Sequence, residues 1–331
     1  MVIDVAKDVV RTTIPIGENP INLAVTPDRA KVYVASYLSD QVYVIDAASN
    51  AITAKFGLGF GMGHYLRRQM AVSSDGQKIY ELNEDPGSVS VVDVAGNTAP
   101  TTIKVGDPVD LALASNGAKL FVVNQLGNSV SVIDASSNTV TATIPVAAWP
   151  YHALISPDGS TLFVAHFSDD RQVSVIDTRT SSVVAKIEVG GWFCSPCAPE
   201  SMAITPDGRQ LYVAVPESKS VAVIDIAKRR VATTINVGLQ KLEGNSMAMM
   251  SDGRTLYISP GSGIISAIDT TSDAVVATLR ADGTLSLTPD GKKLYAVGSA
   301  VSVIDTASNK VIASIPVSGF GNMVFANTPS P

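Results

Sequence analysis

The sequence predicts an all-β protein built from one small unit that is copied along the chain. A short apolar run closes on an aspartate eight times, at intervals of 36 to 48 residues. The aspartates are Asp4, Asp46, Asp93, Asp134, Asp177, Asp225, Asp269 and Asp305. A period of about 40 to 50 residues is typical of solenoids and propellers. The shared pattern is scaffold, so any chemistry belongs to the copies that depart from it.

Each copy contains four strand patterns joined as two hairpins. In the copy from Pro20 to Gly57, short runs rich in Val, Ile, Tyr and Thr alternate with turn-forming residues, which is typical of β-strands. We label these strands A, B, C and D. The A–B turns are rich in Pro-Asp-Gly and Ser-Asp-Gly, which encode tight hairpins, and no helix is predicted anywhere. Four-stranded antiparallel units repeated this often close radially into a β-propeller, because a ring leaves only short sheet edges.

The repeat count favours eight blades, with seven as a close alternative. Strand A is found seven times and again at 321–326, strand B seven times, and strands C and D seven times and again within 2–16. An eighth blade would close by pairing the C-terminal A strand with the N-terminal C and D strands. This blade lacks strand B, so its A and C strands would run parallel. We expect residues 1–331 to form a single domain.

Strand B carries a family resemblance. It reads Tyr-Val-Ala-Ser at 33–36, Phe-Val-Val-Asn at 121–124 and Phe-Val-Ala-His at 163–166. With the Thr-Pro-Asp-Gly turns and the Val-Ile-Asp strand ends, this pattern resembles the YVTN family of β-propeller repeats over essentially the full length. The resemblance implies a propeller, usually of seven blades. It is nearly silent on activity, because propellers of this type include binders, scaffolds, lactonases and lyases.

The composition restricts the partners. The chain is 46% hydrophobic and 16% charged, with a net charge of -6 and no run of basic residues longer than the three at 228–230. A nucleic acid or an anionic membrane needs a basic face, so neither partner is expected. No apolar run approaches the roughly 18 residues of a membrane span. The first residues lead into a strand pattern without the charged and apolar regions of a signal peptide, so we do not expect residues 1–16 to act as one. The expected compartment is exported or periplasmic if Cys194 and Cys197 form a disulfide and a leader was removed, and cytoplasmic otherwise.

One face of the predicted propeller carries nearly all of the variation. Because the strands alternate in direction, the A–B and C–D turns share one face, and the B–C and D–A connections share the other. The second face holds the long segments 57–66, 190–198 and 239–245. Variable loops on a regular scaffold are the usual place of binding sites.

A polar residue opens every A strand, which predicts a polar ring at the mouth of the central channel. The residues are Asn22, Gln69, Asp110, His152, Ser201, Ser246, Thr284 and Asn322. Two interpretations stay open. The side chains contact a ligand, or they bind channel water and cap neighbouring backbone groups.

All three histidines fall on the variable face. His152 opens a strand A, His166 ends the adjoining strand B, and His64 lies in the long insertion two blades earlier. Because A and B are antiparallel neighbours, we expect His152 and His166 to lie close enough to share a ligand or a metal. The predicted acid–base pair is His152 with His166 or Glu200. The alternative is a divalent metal held by His152, His166 and either His64 or Asp110.

Aromatic and charged residues surround these histidines in the same connections. Aromatic walls with a few convergent polar groups are the usual form of a small-molecule site, and the alternative is that the aromatic side chains only plug the barrel. The predicted ligand-binding residues are His64, Tyr65, Arg67, Arg68, Gln69, Asp110, Trp149, Tyr151, Phe167, Arg171, Trp192, Phe193, Asn22, Ser201 and Ser246. A disulfide between Cys194 and Cys197 is preferred to a thioredoxin-like redox pair, because no helix follows to activate a thiol.

The predicted function is a small-molecule site that uses histidine acid–base chemistry of the lyase, isomerase or lactonase type. The predicted partner is a small ligand or substrate, with no cofactor required beyond the alternative metal. The alternative function is a non-catalytic binding or surface-scaffold propeller that recognises a peptide, a glycan or a protein. No dinucleotide fingerprint, P-loop, Gly-x-Ser-x-Gly or His-Glu-x-x-His motif is present, so nucleotide cofactors and zinc-peptidase chemistry are not expected.

Overall fold

Seven four-stranded antiparallel sheets account for most of the strands in a computed structural model of the chain. Each sheet is a propeller blade in which consecutive strands are neighbours, so the prediction of an all-β propeller is confirmed. The structure describes residues 1–16, 20–36, 39, 41–57, 69–83, 87–94, 100–167, 171–190, 201–215, 218–237, 246–260 and 263–317. Within these residues, no helix has the length and hydropathy that crossing a membrane requires.

The chain divides into two compact units, and the first unit holds three blades. The strands of these blades, in the order A to D, are β3 (Pro20–Val25), β4 (Lys31–Ser36), β5 (Gln41–Asp46) and β6 (Ala51–Gly57); β7 (Met70–Val72), β8 (Lys78–Asn83), β9 (Ser88–Asp93) and β10 (Thr101–Lys104); and β11 (Pro108–Leu113), β12 (Lys119–Asn124), β13 (Ser129–Asp134) and β14 (Thr139–Pro145).

The second unit holds the other four blades. Their strands are β15 (Pro150–Ile155), β16 (Thr161–His166), β17 (Gln172–Asp177) and β18 (Ser182–Glu188); β19 (Met202–Ile204), β20 (Gln210–Val215), β21 (Ser220–Asp225) and β22 (Arg230–Asn236); β23 (Ser246–Met249), β24 (Thr255–Ser259), β25 (Ile265–Asp269) and β26 (Ala274–Leu279); and β27 (Thr284–Leu287), β28 (Lys293–Val297), β29 (Ala300–Asp305) and β30 (Lys310–Pro316).

The described residues show seven blades, which is the alternative count, and not the favoured count of eight. The N-terminal C and D strands do form, as β1 (Val2–Asp4) and β2 (Val9–Thr12), but they make a two-stranded sheet of their own. No described strand B accompanies them, in agreement with the gap in the repeat. The predicted strand at 321–326, and the closure through it, lie outside the described residues.

A buried aromatic side chain at the third position of strand B anchors every blade. These side chains are at most 1% exposed and are Tyr33, Tyr80, Phe121, Phe163, Tyr212, Tyr257 and Tyr295. In the second unit, Phe163 packs in one cluster with Met202 and Leu211 of the following blade. Burying one such side chain stabilises the fold by about 1.5–3 kcal/mol. The repeated core makes the blade ends rigid supports for loops.

Tyrosine hydroxyl groups also tie blades of the second unit to their neighbours. The hydroxyl of Tyr212 donates to Asp273 Oδ1 at 2.9 Å, and that of Tyr257 donates to Asn309 Oδ1 at 2.7 Å. Both acceptors lie in C–D turns and have left-handed backbone, with φ of 50° and 51°. Burial is the main cause that raises the pKa of Tyr257 to about 12. These hydroxyl groups therefore stay protonated donors at neutral pH.

The aspartates of the A–B and C–D turns form a second repeated feature of the blades. Each accepts hydrogen bonds from turn backbone or from nearby side chains, which hold its pKa below 3.8. The aspartates are Asp28, Asp75, Asp158, Asp207 and Asp290 in A–B turns, and Asp46, Asp134, Asp177, Asp225, Asp269 and Asp305 in C–D turns. For Asp134, the Ser136 hydroxyl is the largest cause, followed by the Ser137 backbone N–H, and together with lesser contacts they lower the pKa to about 2.

We expect the urea unfolding midpoint to fall steeply as the pH drops from about 4 toward about 2. The folded-state pKa values lie below the ordinary value of 3.8, so these carboxylates stabilise the fold fully above that pH. Their contribution is lost as the pH falls through the folded-state values. The measurement is a series of urea titrations across this range, with Asp134→Asn as the variant that should show a smaller acid loss. A midpoint that does not change over the range would contradict this role of the turns.

Candidate functional site

The loop end of blade β15–β18 collects most of the predicted site residues that the structure describes. Trp149 precedes β15, Tyr151 and His152 lie in its first half, Phe167 follows β16, and Arg171 precedes β17. Because neighbouring strands are antiparallel, the start of β15, the end of β16 and the start of β17 meet at one end of the sheet. The sequence-based grouping of these residues is thus reproduced by the topology of one blade.

A β-bulge separates the two histidines of this blade. Pro150 is paired with His166, whereas His152 is paired with Ala165, so Tyr151 is the extra residue of the bulge. Paired residues share a sheet face, and consecutive residues of a strand face opposite sides. His152 therefore lies on the face of Ala165, and His166 lies on the other face. This register does not favour a ligand shared by both imidazoles, and the acid–base pair of His152 with His166 stays a prediction.

His166 is held inside the blade by both of its ring nitrogens. Its side chain is 1% exposed, Nδ1 lies 3.2 Å from the Ala148 carbonyl oxygen, and Nε2 lies 2.8 Å from Ser174 Oγ. A carbonyl oxygen only accepts, so the neutral ring carries its hydrogen on Nδ1, and the Ser174 hydroxyl donates to Nε2. This is the bonding of a supporting side chain. His152, in contrast, is partly exposed.

Trp149 has an unusual backbone for an exposed aromatic residue. It is 47% exposed and has a left-handed φ of 54°. The residue before a proline is normally extended, and Trp149 directly precedes Pro150. A left-handed conformation in a residue other than glycine costs about 1–3 kcal/mol. The Phe167 N–H donates to the Trp149 carbonyl at 2.7 Å and helps to hold this conformation.

Blade β11–β14 shows what the ordinary scaffold does at the same place. Asp107 precedes Pro108, as Trp149 precedes Pro150, and its carbonyl accepts the Gln125 N–H as the Trp149 carbonyl accepts that of Phe167. The Asp107 side chain caps the B–C loop by accepting from the Leu126 and Gly127 N–H groups. Blade β15–β18 has therefore replaced a loop-capping carboxylate with an exposed indole ring.

Three members of the predicted polar ring cap backbone groups. Asn22 Oδ1 accepts the Leu23 N–H and Asp110 Oδ1 accepts the Leu111 N–H, both at 2.8 Å. Ser246 Oγ accepts the Leu285 N–H of the next blade at 3.0 Å. The capping role left open by the sequence is therefore observed at these positions, which makes them weaker choices for ligand contacts.

Ser201 and Gln69 are the remaining predicted ligand-binding residues that the structure describes, and each uses its backbone carbonyl in a hydrogen bond. Ser201 is 8% exposed and its carbonyl accepts the Ala214 N–H, and the Gln69 carbonyl accepts the Leu82 N–H. Among the described residues, no group of three or more His, Cys, Asp or Glu side chains is close enough to hold a metal ion. The predicted residues that lie outside the described residues are His64, Tyr65, Arg67, Arg68, Trp192, Phe193, Cys194, Cys197, Glu200 and the polar-ring residue Asn322.

Sequence reasoning passed over one departure from the repeat. Glu81 in β8 is fully buried and is paired with Met70 and Ser90. The sequence alone could have shown that Glu81 is unusual, because it is the fourth residue of its strand B. The other blades have apolar residues at this position, namely Val34, Val122, Val164, Val213, Ile258 and Ala296. A carboxyl group at the fourth position of strand B therefore makes blade β7–β10 a second blade that differs from the common repeat.

Comparison with known sequences identifies relatives of the chain. A family model described as the choice-of-anchor I domain matches residues 68–297. Two curated relatives, from Salmonella typhi and Salmonella typhimurium, are both described as uncharacterized protein YncE and are 33% identical over 90 residues. The aligned segment covers 27% of this chain and 22% of each relative. The chain thus matches less than a quarter of the length of these relatives.

Solved structures show the same fold at low sequence identity. Hydrazine synthase from Kuenenia stuttgartiensis matches with a TM-score of 0.67 and 23% identity, over 90% of this chain and 99% of that chain. Dihydro-heme d1 dehydrogenase NirN in complex with DHE matches with a TM-score of 0.74 and 19% identity, over 96% and 71%. These likenesses show the fold alone. They support a β-propeller family, whereas the narrower resemblance to YVTN repeats stays a prediction.

Proposed function

Because the chain belongs to the choice-of-anchor I domain family, whose model spans all of blade β15–β18, we propose that the loop end of this blade is its functional site. The site binds a small organic molecule against Trp149, and His152 supplies acid–base chemistry. Two propellers of similar fold are by name a synthase and a dehydrogenase, the second in complex with DHE. Those names support a small-molecule partner and do not specify its identity here.

The backbone of Trp149 carries the proposal. A strained left-handed residue persists only where its surroundings hold it, and such residues cluster at functional sites. Here the strained backbone belongs to an aromatic residue that is 47% exposed, while the equivalent Asp107 caps the B–C loop of its blade. An exposed aromatic face is a platform for planar or apolar ligands. Tyr151, Phe167 and Arg171 share the same end of the blade and complete an aromatic and cationic site.

Opening of a lactone is the reaction that this set of groups supports best. His152 removes a proton from water, the water oxygen forms a bond to the ester carbonyl carbon, and Arg171 stabilises the oxyanion. The ring C–O bond then breaks, and the proton passes from His152 to the leaving oxygen. One proton carrier suffices for both steps. Both nitrogens of His166 are occupied by fixed partners, so a mechanism with two histidines is less suited to this site.

We expect Trp149→Ala to raise the KM for dihydrocoumarin by about tenfold or more, because stacking on the indole ring is lost. Dihydrocoumarin is an aromatic lactone whose opening is followed by the absorbance of the phenol product. The matched control is Leu126→Ala, which removes another exposed apolar side chain, 69% exposed, from the B–C loop of another blade. Unchanged kinetics in Trp149→Ala, or equal effects in both variants, would contradict the proposed site.

A binding protein without catalysis is the second function, and the buried state of His166 favours it. With one of the two described histidines committed to support, the site has a single acid–base group, and an exposed tryptophan also suits a glycan or a peptide. The two functions differ in one observable. Saturable quenching of Trp149 fluorescence by a ligand, with no turnover of any lactone, would identify the binding function.

A further inference from the structure

The connection before β15 has a contact that the equivalent residue of blade β11–β14, Asn124, does not make in the described structure. In blade β11–β14, the segment from Val105 to Pro108 leads into strand A, whereas the segment from Val146 to Pro150 is one residue longer. The carbonyl of Ala148, in this longer segment, lies 3.2 Å from His166 Nδ1. The residue that makes this contact and the residue added to the segment therefore occur in the same blade.

The side chain that ends strand B differs between the two blades in what it can reach. Asn124 Nδ2 donates to Ser131 Oγ at 2.9 Å and to Ser129 Oγ at 3.2 Å, so its amide bonds serve strand C. Its Oδ1 is buried and has no hydrogen-bond partner among the described residues. His166 keeps the equivalent serine bond, to Ser174, and its second nitrogen extends to the D–A connection. The imidazole thus joins strand C to the loop that carries Trp149.

We propose that His166 is a positioning residue whose Nδ1–H holds the Ala148 carbonyl and so keeps Trp149 left-handed and presented at the loop end of the blade. Two hydrogen bonds then hold the backbone on both sides of Trp149. His166 Nδ1–H donates to the carbonyl of Ala148, and the Phe167 N–H donates to the carbonyl of Trp149 at 2.7 Å. His166 acts on the ligand only through Trp149. The consequence for ligand binding rests on the proposed function, but the effect on Trp149 itself does not.

Another blade of the chain supplies the variant that tests this role. In blade β19–β22, the positions of His166 and Ser174 are occupied by Val215 and Ala222, which are 4% and 0% exposed. The double variant His166→Val/Ser174→Ala copies this pair. Replacing both partners of a buried hydrogen bond with apolar groups is far less disruptive than removing one. We therefore expect the blade to keep its fold while the hydrogen bond from residue 166 to the Ala148 carbonyl is lost.

The readout is acrylamide quenching of tryptophan fluorescence in a Trp192→Phe background, where Trp149 is the remaining tryptophan of the two in the chain. We expect the quenching constant to rise by about twofold in the double variant, as a side chain that is 47% exposed is released toward full exposure. Circular dichroism should be unchanged. In a Trp149→Phe background, the same double variant should leave the quenching of Trp192 unchanged.

An unchanged Trp149 quenching constant in a folded double variant would overturn the proposal. If the double variant does not fold, His166→Asn replaces it, because it places the asparagine of the equivalent position Asn124 in this blade. We expect the same rise in the quenching constant of Trp149 in His166→Asn. The KM for dihydrocoumarin separates the two proposals. Higher quenching with a raised KM and a retained kcat supports both, whereas higher quenching in a protein whose wild type neither binds nor opens the lactone keeps the positioning role and rejects the proposed function.

Discussion

Replacing His152 by alanine is expected to lower kcat for dihydrocoumarin by about 10²- to 10⁴-fold, which is the usual contribution of a general acid–base group. His152 is the described histidine that is partly exposed, and it follows the bulge residue Tyr151 at the end of the blade that carries Trp149. The free energy of unfolding should change by about 1 kcal/mol or less, because a partly exposed side chain contributes little to the core. Steady-state kinetics and urea titration measure the two quantities.

The control for His152→Ala is Thr284→Ala, which truncates the polar residue that opens β27. Thr284 is paired with Val297, the fifth residue of strand B, as His152 is paired with Ala165, so this variant tests the effect of an altered strand start. We expect Thr284→Ala to keep the wild-type kcat. If His152→Ala lost stability in proportion to its activity, His152 would be a packing residue and the acid–base role would be rejected.

Lys293→Met is expected to destabilise the protein by about 2–3 kcal/mol, which is the largest stability loss that we predict for a single charge. Lys293 Nζ donates to both carboxylate oxygens of Asp8 and to the Val5 carbonyl, all at 2.8 Å, and the Tyr295 hydroxyl donates to Asp8 at 2.7 Å. The lysine and aspartate side chains are 23% and 16% exposed. Breaking a fully buried pair costs about 3–5 kcal/mol, and the partial exposure reduces this figure.

The matched control is the neighbouring Lys292→Met. Lys292 lies 3.9 Å from Asp290, and these side chains are 81% and 58% exposed, so removing the charge should cost less than about 1 kcal/mol. Urea titration of both variants measures the difference. Equal losses in the two variants would show that the Lys293 contact does not anchor the turn between β1 and β2 to blade β27–β30.

The repeat made most of the fold predictable. Alternating Val, Ile and Tyr before an aspartate predicted strands such as Gln41–Asp46, and the structure has β5 with these bounds. The Pro-Asp-Gly turns predicted the A–B hairpins, and Gly159 has the expected positive φ of 72°. Blade number was harder, because counting strand patterns does not reveal which sheet a strand joins. The strands in 2–16 follow the repeat, and Asp8 accepts from Tyr295 as Asn309 accepts from Tyr257, yet they form a two-stranded sheet.

The site was predictable only at the level of the blade. Antiparallel pairing of β15 and β16 correctly brought Trp149, His152 and Phe167 to one end. The bulge at Tyr151 adds one residue to strand A, and a one-residue shift exchanges the two faces of a strand. Pattern alone does not show such a shift, so the sequence did not reveal that the pairing places His152 and His166 on opposite faces of the sheet. The left-handed Trp149 was equally hidden, because a tryptophan before a proline predicts extended backbone.

A crystal structure of the protein soaked with 3-(2-hydroxyphenyl)propionate, the product of dihydrocoumarin opening, is the decisive test of the Trp149 site. We expect electron density for the product at the loop end of blade β15–β18, with its aromatic ring against Trp149 and its carboxylate near His152 and Arg171. Density for the product at another place, with no product atom in contact with Trp149, would rule out the proposed site.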